Sequence, residues 1–186
     1  MKNSLPLPSP FSYPVFARYV ITCDLQKRIV PDPFRITHLM KGEYPELSLP
    51  KACFVSIKCR DGALRGCIGT LFPNASCLTE ELISNARAAA FQDPRFSPVK
   101  EQELSSLLFS CDILETPEKT SFELLDPKNF GVIVSKNSRR GVLLPNLEGV
   151  ETPLQQVQIA MKKAGIFETS LENVDLMSFR VTRYEE

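Results

Sequence analysis

The sequence predicts an α+β fold, with largely antiparallel sheets built from hairpins and helices packed on them. Three patterns carry that prediction. Asp61-Gly62 sits between two alternating apolar runs, the signature of a tight β-hairpin turn. A second hairpin is expected from Gly131–Ser135 and Gly141–Leu144, turning through Lys136 to Arg140. Stretches of helical periodicity follow each hairpin, so hairpins outnumber crossovers. The same elements fit one body or two lobes sharing one core. No internal sequence repeat is visible, although two hairpin-then-helix units follow one another.

In chain order, residues 1–10 form a proline-rich arm expected to be disordered, and 11–186 a single domain. Val15, Phe16, Tyr19, Val20 and Cys23 recur at helical spacing, predicting a helix from Tyr13 to about Leu25. Arg28 to Pro50, with four prolines and Gly42, reads as mostly loop with a helical turn around His38. The first hairpin pairs Ala52–Cys59 with Leu64–Leu71 across a two-residue turn. That register places Cys53, Val55, Ile57, Leu64 and Ile68 on a core face. Lys58 with Arg65, Ser56 with Cys67 and Phe54 with Gly69 then share a polar, basic face.

Ser76 is the expected N-cap of the next helix, with Glu80 and Glu81 in its first turn. Leu78, Leu82, Ile83, Ala86, Ala89 and Ala90 make its apolar face, and Pro94 ends it near Asp93. Leu107–Leu114 is a strand with Leu107, Phe109, Cys111 and Ile113 inward. Thr116 to Lys128 carries no clear pattern. Thr152-Pro153 starts a helix that Gly165 stops. Met177, Phe179 and Val181 alternate in one closing strand.

Composition excludes several classes. Apolar residues make up 43% and charged residues 24%, ordinary values for a globular protein. Lysine plus arginine equals aspartate plus glutamate at 22 each, which argues against a dedicated nucleic-acid binder. No apolar run reaches the roughly 18 residues of a membrane span. The first residues lack the apolar core of a signal peptide, so the expected compartment is cytoplasmic with its six cysteines reduced. No Cys-x-x-Cys occurs and His38 is the only histidine, so neither a disulfide nor a metal site is expected.

The chemistry concentrates in Leu64-Arg65-Gly66-Cys67-Ile68-Gly69-Thr70. Cys67 on one face with Arg65 and Lys58 is the candidate catalytic residue, because neighbouring cations favour the reactive thiolate. Equally, it fits a small buried residue required where Gly66 and Gly69 bring other backbone close. Arg65 fits either a salt bridge to Asp93 or Asp112 or a fork that grips an anionic ligand. Asp93-Pro94-Arg95-Phe96 reads as a rigid post-helical turn, with Phe96 in the core or with Arg95 beside Arg65 in a cleft. The candidate ligand-binding set is therefore Arg65, Gly66, Gly69, Asp93 and Arg95. Arg139-Arg140 reads as a solvated hairpin tip.

Leu64–Thr70 and Asp93–Phe96 resemble the two landmarks of the AMMECR family (AmmeMemoRadiSam system protein A-like). Weaker likenesses occur at Arg140-Gly141, Leu144-Pro145 and Lys163-Ala164-Gly165. The resemblance spans roughly Phe11 to Tyr184. It implies MEMO-like and radical SAM partners in prokaryotes, and names no reaction or cofactor. Two function classes follow. One is an anion- or small-molecule-binding protein or enzyme with its cleft at the motif. The other is a regulatory or interaction module without chemistry.

Overall fold

A computed structural model describes residues 5–167, 171 and 173–186. The chain divides into two units. One runs to Ile113 and takes back Thr182–Glu186; the other is Leu114–Val181.

The first unit begins with helix α1, Tyr13–Leu25, where Ser12 accepts from the Val15 N–H as the N-cap and Pro14 occupies the first turn. Helix α2, Pro33–Met40, is longer than the single turn expected. Its prolines open the helix rather than forbid it. Asp32 caps the Phe34 and Arg35 N–H groups, and Pro33 supplies a position that needs no donor. Strands β1, Cys53–Cys59, and β2, Leu64–Gly69, form the first hairpin, and helix α3, Leu78–Phe91, follows. Its N-cap is Cys77, one residue beyond the Ser76 expected; Ser76 instead donates through its hydroxyl to Glu80. Strand β3, Leu107–Leu114, completes this run.

The second unit holds β4, Glu118–Lys119; β5, Gly131–Lys136; β6, Arg139–Leu143; α4, Pro153–Lys163; and β7, Asp175–Phe179. Lys136 pairs with Arg139, so this hairpin turns through Asn137 and Ser138 alone, with Asn137 at φ +54°. Strand β8, Val181–Glu185, returns to the first sheet. The closing alternation is therefore two strands and not one. Alternation tells which side of a sheet a residue faces, but not to which sheet the strand belongs.

The sheet orders are β2-β1-β3-β8 and β4-β7-β5-β6. Each unit thus repeats one plan: a hairpin, a helix, then a strand that pairs with the hairpin's first strand. The close packing is also repeated. A Cβ on Gly66 would collide with the Ala89 carbonyl of α3, and one on Gly141 with the Ala160 carbonyl of α4. An Arg-Gly pair on the hairpin's second strand marks the spot both times.

Each unit has its own apolar cluster. Phe16, Val55, Ile57, Leu82 and Phe109 centre the first, and Leu5 and Leu7 of the proline-rich arm pack against it. Val132, Val134, Leu143, Val157 and Ala160 centre the second.

Candidate functional site

The motif strand β2 is an edge strand, and one side of it lacks a strand partner among the described residues. The Thr70 N–H donates to the Cys53 carbonyl at 3.0 Å, which makes 53 and 70 a hydrogen-bonded pair. Alternation along the ladder then turns the Cys67 N–H and C=O away from β1, towards the open edge. Both groups are satisfied by the post-helical turn. Asp93 Oδ2 accepts from the Cys67 N–H at 2.9 Å, and Arg95 Nη2 donates to the Cys67 carbonyl at 3.0 Å. Asp93 and Arg95 substitute for one residue of a missing strand.

The two side chains also hold each other. Arg95 donates through Nε to Asp93 Oδ1 at 2.9 Å and through Nη2 to Oδ2 at 2.7 Å. Asp93 is 4% exposed. The Arg95 hydrogen bonds hold its carboxyl well below the usual carboxylate range, against the cost of burial, and the Cys67 and Arg95 N–H groups add to this. Arg95 itself is over half exposed, at 54%, with its guanidinium 5.5 Å from the centroid of the Phe96 ring.

 The Cys67 thiol lies beside that guanidinium. On its other side the Ser56 hydroxyl donates to Cys67 Sγ at 3.2 Å. The thiol is half-buried.

Arg65 does not join this group through its hydrogen bonds. Its fork is taken by Glu103, Nε to Oε2 at 3.0 Å and Nη2 to Oε1 at 2.8 Å, and not by Asp93 or Asp112. The reason is a bulge. The first hairpin closes through a three-residue loop, with Cys59 and Ala63 bonded and Gly62 at φ +88°, rather than the two-residue turn expected. Lys58 therefore pairs with Leu64, and Arg65 is the extra residue that restores the expected register at Ile57–Gly66, Ser56–Cys67 and Phe54–Gly69. Gly66 faces α3, and the space beside Gly69 is filled by the Phe54 ring. His38 is on α2, which packs on α3, and α3 covers the opposite face of the sheet from Cys67.

The AMMECR1 family profile matches residues 15–185. The chain belongs to the AMMECR1 family. A protein of Clostridium acetobutylicum is 48% identical over 138 residues, which cover 74% of this chain and 29% of that protein. A protein of Thermotoga maritima is 46% identical over 149 residues, covering 76% and 85%. The chain thus spans less than a third of the first relative and most of the second. A crystal structure of an uncharacterized protein from Pyrococcus horikoshii has the same fold, with a TM-score of 0.76 and 28% identity, covering 94% of this chain and 89% of that one.

In this AMMECR1-family chain, sequence reasoning missed one charged residue on the motif's face. Arg183 of β8 donates through Nε and Nη2 to both oxygens of Asp112, each at 2.7 Å. Asp112 is 3% exposed, while the Arg183 side chain is 51% exposed. The available signal was Asp112, a lone charge in the largely apolar run Leu107–Leu114, which needs a cation when buried. It was obscured because β8 was read as the end of β7. Among the described residues, no helix is long and apolar enough to cross a membrane.

Proposed function

We propose that the polar face of the first sheet, centred on Cys67, binds a small anionic ligand, with Arg95 as its contact. The observation that carries this reading is the state of Arg95. One edge of its guanidinium is fixed by Asp93 and the Cys67 carbonyl, its Nη1 donors have no oxygen acceptor among the described residues, and the side chain is 54% exposed beside a half-buried thiol. A pre-oriented guanidinium loses little freedom on gripping a carboxylate or phosphate. Cys67 lines the site as a thiol able to react with a ligand. Binding is favoured over cysteine–histidine catalysis because His38 is on the far side of the sheet. A cytoplasmic role beside MEMO-like and radical SAM partners belongs to the same proposal, and the family resemblance alone supports it.

The test is a titration of the 15N-labelled protein with sodium succinate, followed by NMR. The expected result is saturable shifts at the Cys67 amide and the Arg95 Nε–H. Shifts scattered over surface lysines, with none at these two groups, would overturn the reading.

A further inference from the structure

Arg183 and Arg95 are built alike. Each uses its Nε and Nη2 donors to clamp an aspartate that is almost wholly buried, and each leaves Nη1 without an oxygen acceptor among the described residues. Each is about half exposed, at 54% and 51%. Tyr184 packs into the core, so its neighbour Arg183 emerges on the opposite, polar face, the face of Cys67.

The ladder places the two arginines on either side of one floor. Cys67 pairs with Ser56, and Ser56 with Ser110; one step along, Gly69 pairs with Phe54, and Phe54 with Asp112. At about 4.8 Å per strand, the Cys67 and Asp112 columns stand roughly 10 Å apart. Between them the floor is Ser56, Ser110 and the thiol, all half-buried, with the Phe54 ring laid over Gly69. Asp93 and Asp112 on this face are already neutralised by the arginines they hold, and Glu185 stands two residues from Arg183 on the same face of β8. Two outward Nη1 groups and the Ser110 hydroxyl remain as donors beside this floor, the Ser56 proton being given to Cys67 Sγ.

We infer that Arg183 is a second anchor of this site, and that its ligand is a small organic dianion with an acceptor group at each end, of the dicarboxylate class. The inference rests on the binding reading above and adds to it a residue and a ligand geometry. A monoanion satisfies one guanidinium; an ion with acceptors at both ends satisfies both, and the second contact is made at high effective concentration. Both ion pairs are internally neutral and Glu185 adds a negative charge, so selectivity comes from the spacing of the two forks rather than from net charge.

The experiment compares succinate with acetate as probes, by the shift of the Cys67 amide, in the wild type and in Arg183→Lys. The wild type is expected to bind succinate at least about tenfold more tightly than acetate. Arg183→Lys keeps the charge but loses the fork, and should bring succinate down to the acetate level while leaving acetate binding nearly unchanged. A second variant, Asp112→Asn with Arg183→Gln, leaves no buried charge unpaired and should give the same loss; thermal melts show whether each variant is folded. Succinate binding no tighter than acetate, or succinate binding retained in both folded variants, overturns this inference while the single-anchor reading stands. If neither ion reaches Cys67 or Arg95 in the wild type, both readings fall.

Discussion

Asp93 shows how one buried side chain couples the chain's two sequence landmarks. It accepts from a strand-edge N–H and from a guanidinium at once, so it contributes to the fold as well as to the candidate site. Asp93→Ala leaves the Cys67 N–H uncapped and releases Arg95, at a cost of about 1–3 kcal/mol, readable in a chemical denaturation curve. The pH dependence has a definite sign. A carboxyl whose folded pKa is depressed contributes stability that is present above its unfolded value, near 4, and is lost as pH falls towards its folded value. Asp93 and Glu103 are both shifted this way, mainly by Arg95 and Arg65 respectively. The wild type should therefore lose melting temperature between about pH 5 and pH 3, and Asp93→Ala should lose less over that interval. An equal loss in both proteins would show that Asp93 does not carry the acid sensitivity. The thiols divide just as clearly. Burial pushes Cys53 up to about 12 and raises Cys111 well above the usual thiol value, so neither should react near neutral pH.

Elements were legible wherever local chemistry decided them. Helices α1, α3 and α4 have a clear apolar stripe and a definite stop or start, and Leu107–Leu114 was readable from its apolar run. Helix α2 was underestimated because proline content was weighed without asking which prolines could occupy a first helical turn. The polar face with Cys67, Ser56 and Phe54 was readable from the hairpin, since the expected register holds from Ile57 onward. What the hairpin signal could not supply was the bulge at Arg65: a loop of two residues and a loop of three with a compensating bulge give the same far register. Arg65's true partner, Glu103, also lies in a 3-10 segment with no sequence signature of its own. At α4, Thr152 accepts from the Gln155 N–H and Gln155 accepts in return from the Thr152 N–H. Thr152→Ala should cost about 1 kcal/mol and lower the melting temperature by a few degrees. No change in a thermal melt would mean that the cap is dispensable.

At the scale of the whole molecule, the chain leaves its first unit at Leu114 and returns only for the last strand. That return has consequences beyond sheet pairing. Arg183 neutralises Asp112, Tyr184 joins the aromatic contacts of Tyr13, and Glu186 pairs with Arg18 and accepts from the Phe109 N–H. Deleting 181–186 should therefore uncover the edge of β3, leave a buried aspartate without its cation, and yield a protein that aggregates or melts well below the full chain. A truncated protein that is monomeric by gel filtration and melts like the full chain would refute this account of β8. The repeated plan of hairpin, helix and strand makes a matching prediction for both units. Gly66→Ala and Gly141→Ala each drive a methyl group into a helix carbonyl, and each should destabilise by roughly 1–3 kcal/mol or prevent folding.

Cysteine alkylation checks whether the face around Cys67 is open to a ligand, as proposed. The protein is treated with iodoacetamide under native conditions, with and without succinate, and each cysteine is followed by peptide mass spectrometry. Cys23, Cys53, Cys77 and Cys111 are buried, whereas Cys59 and Cys67 are partly exposed, and Cys59 lies outside the proposed site. Labelling of Cys59 and Cys67 alone is expected, with succinate slowing the reaction at Cys67 and leaving Cys59 unchanged. A Cys67 that stays unlabelled, or that reacts equally fast with and without succinate, would contradict the proposal.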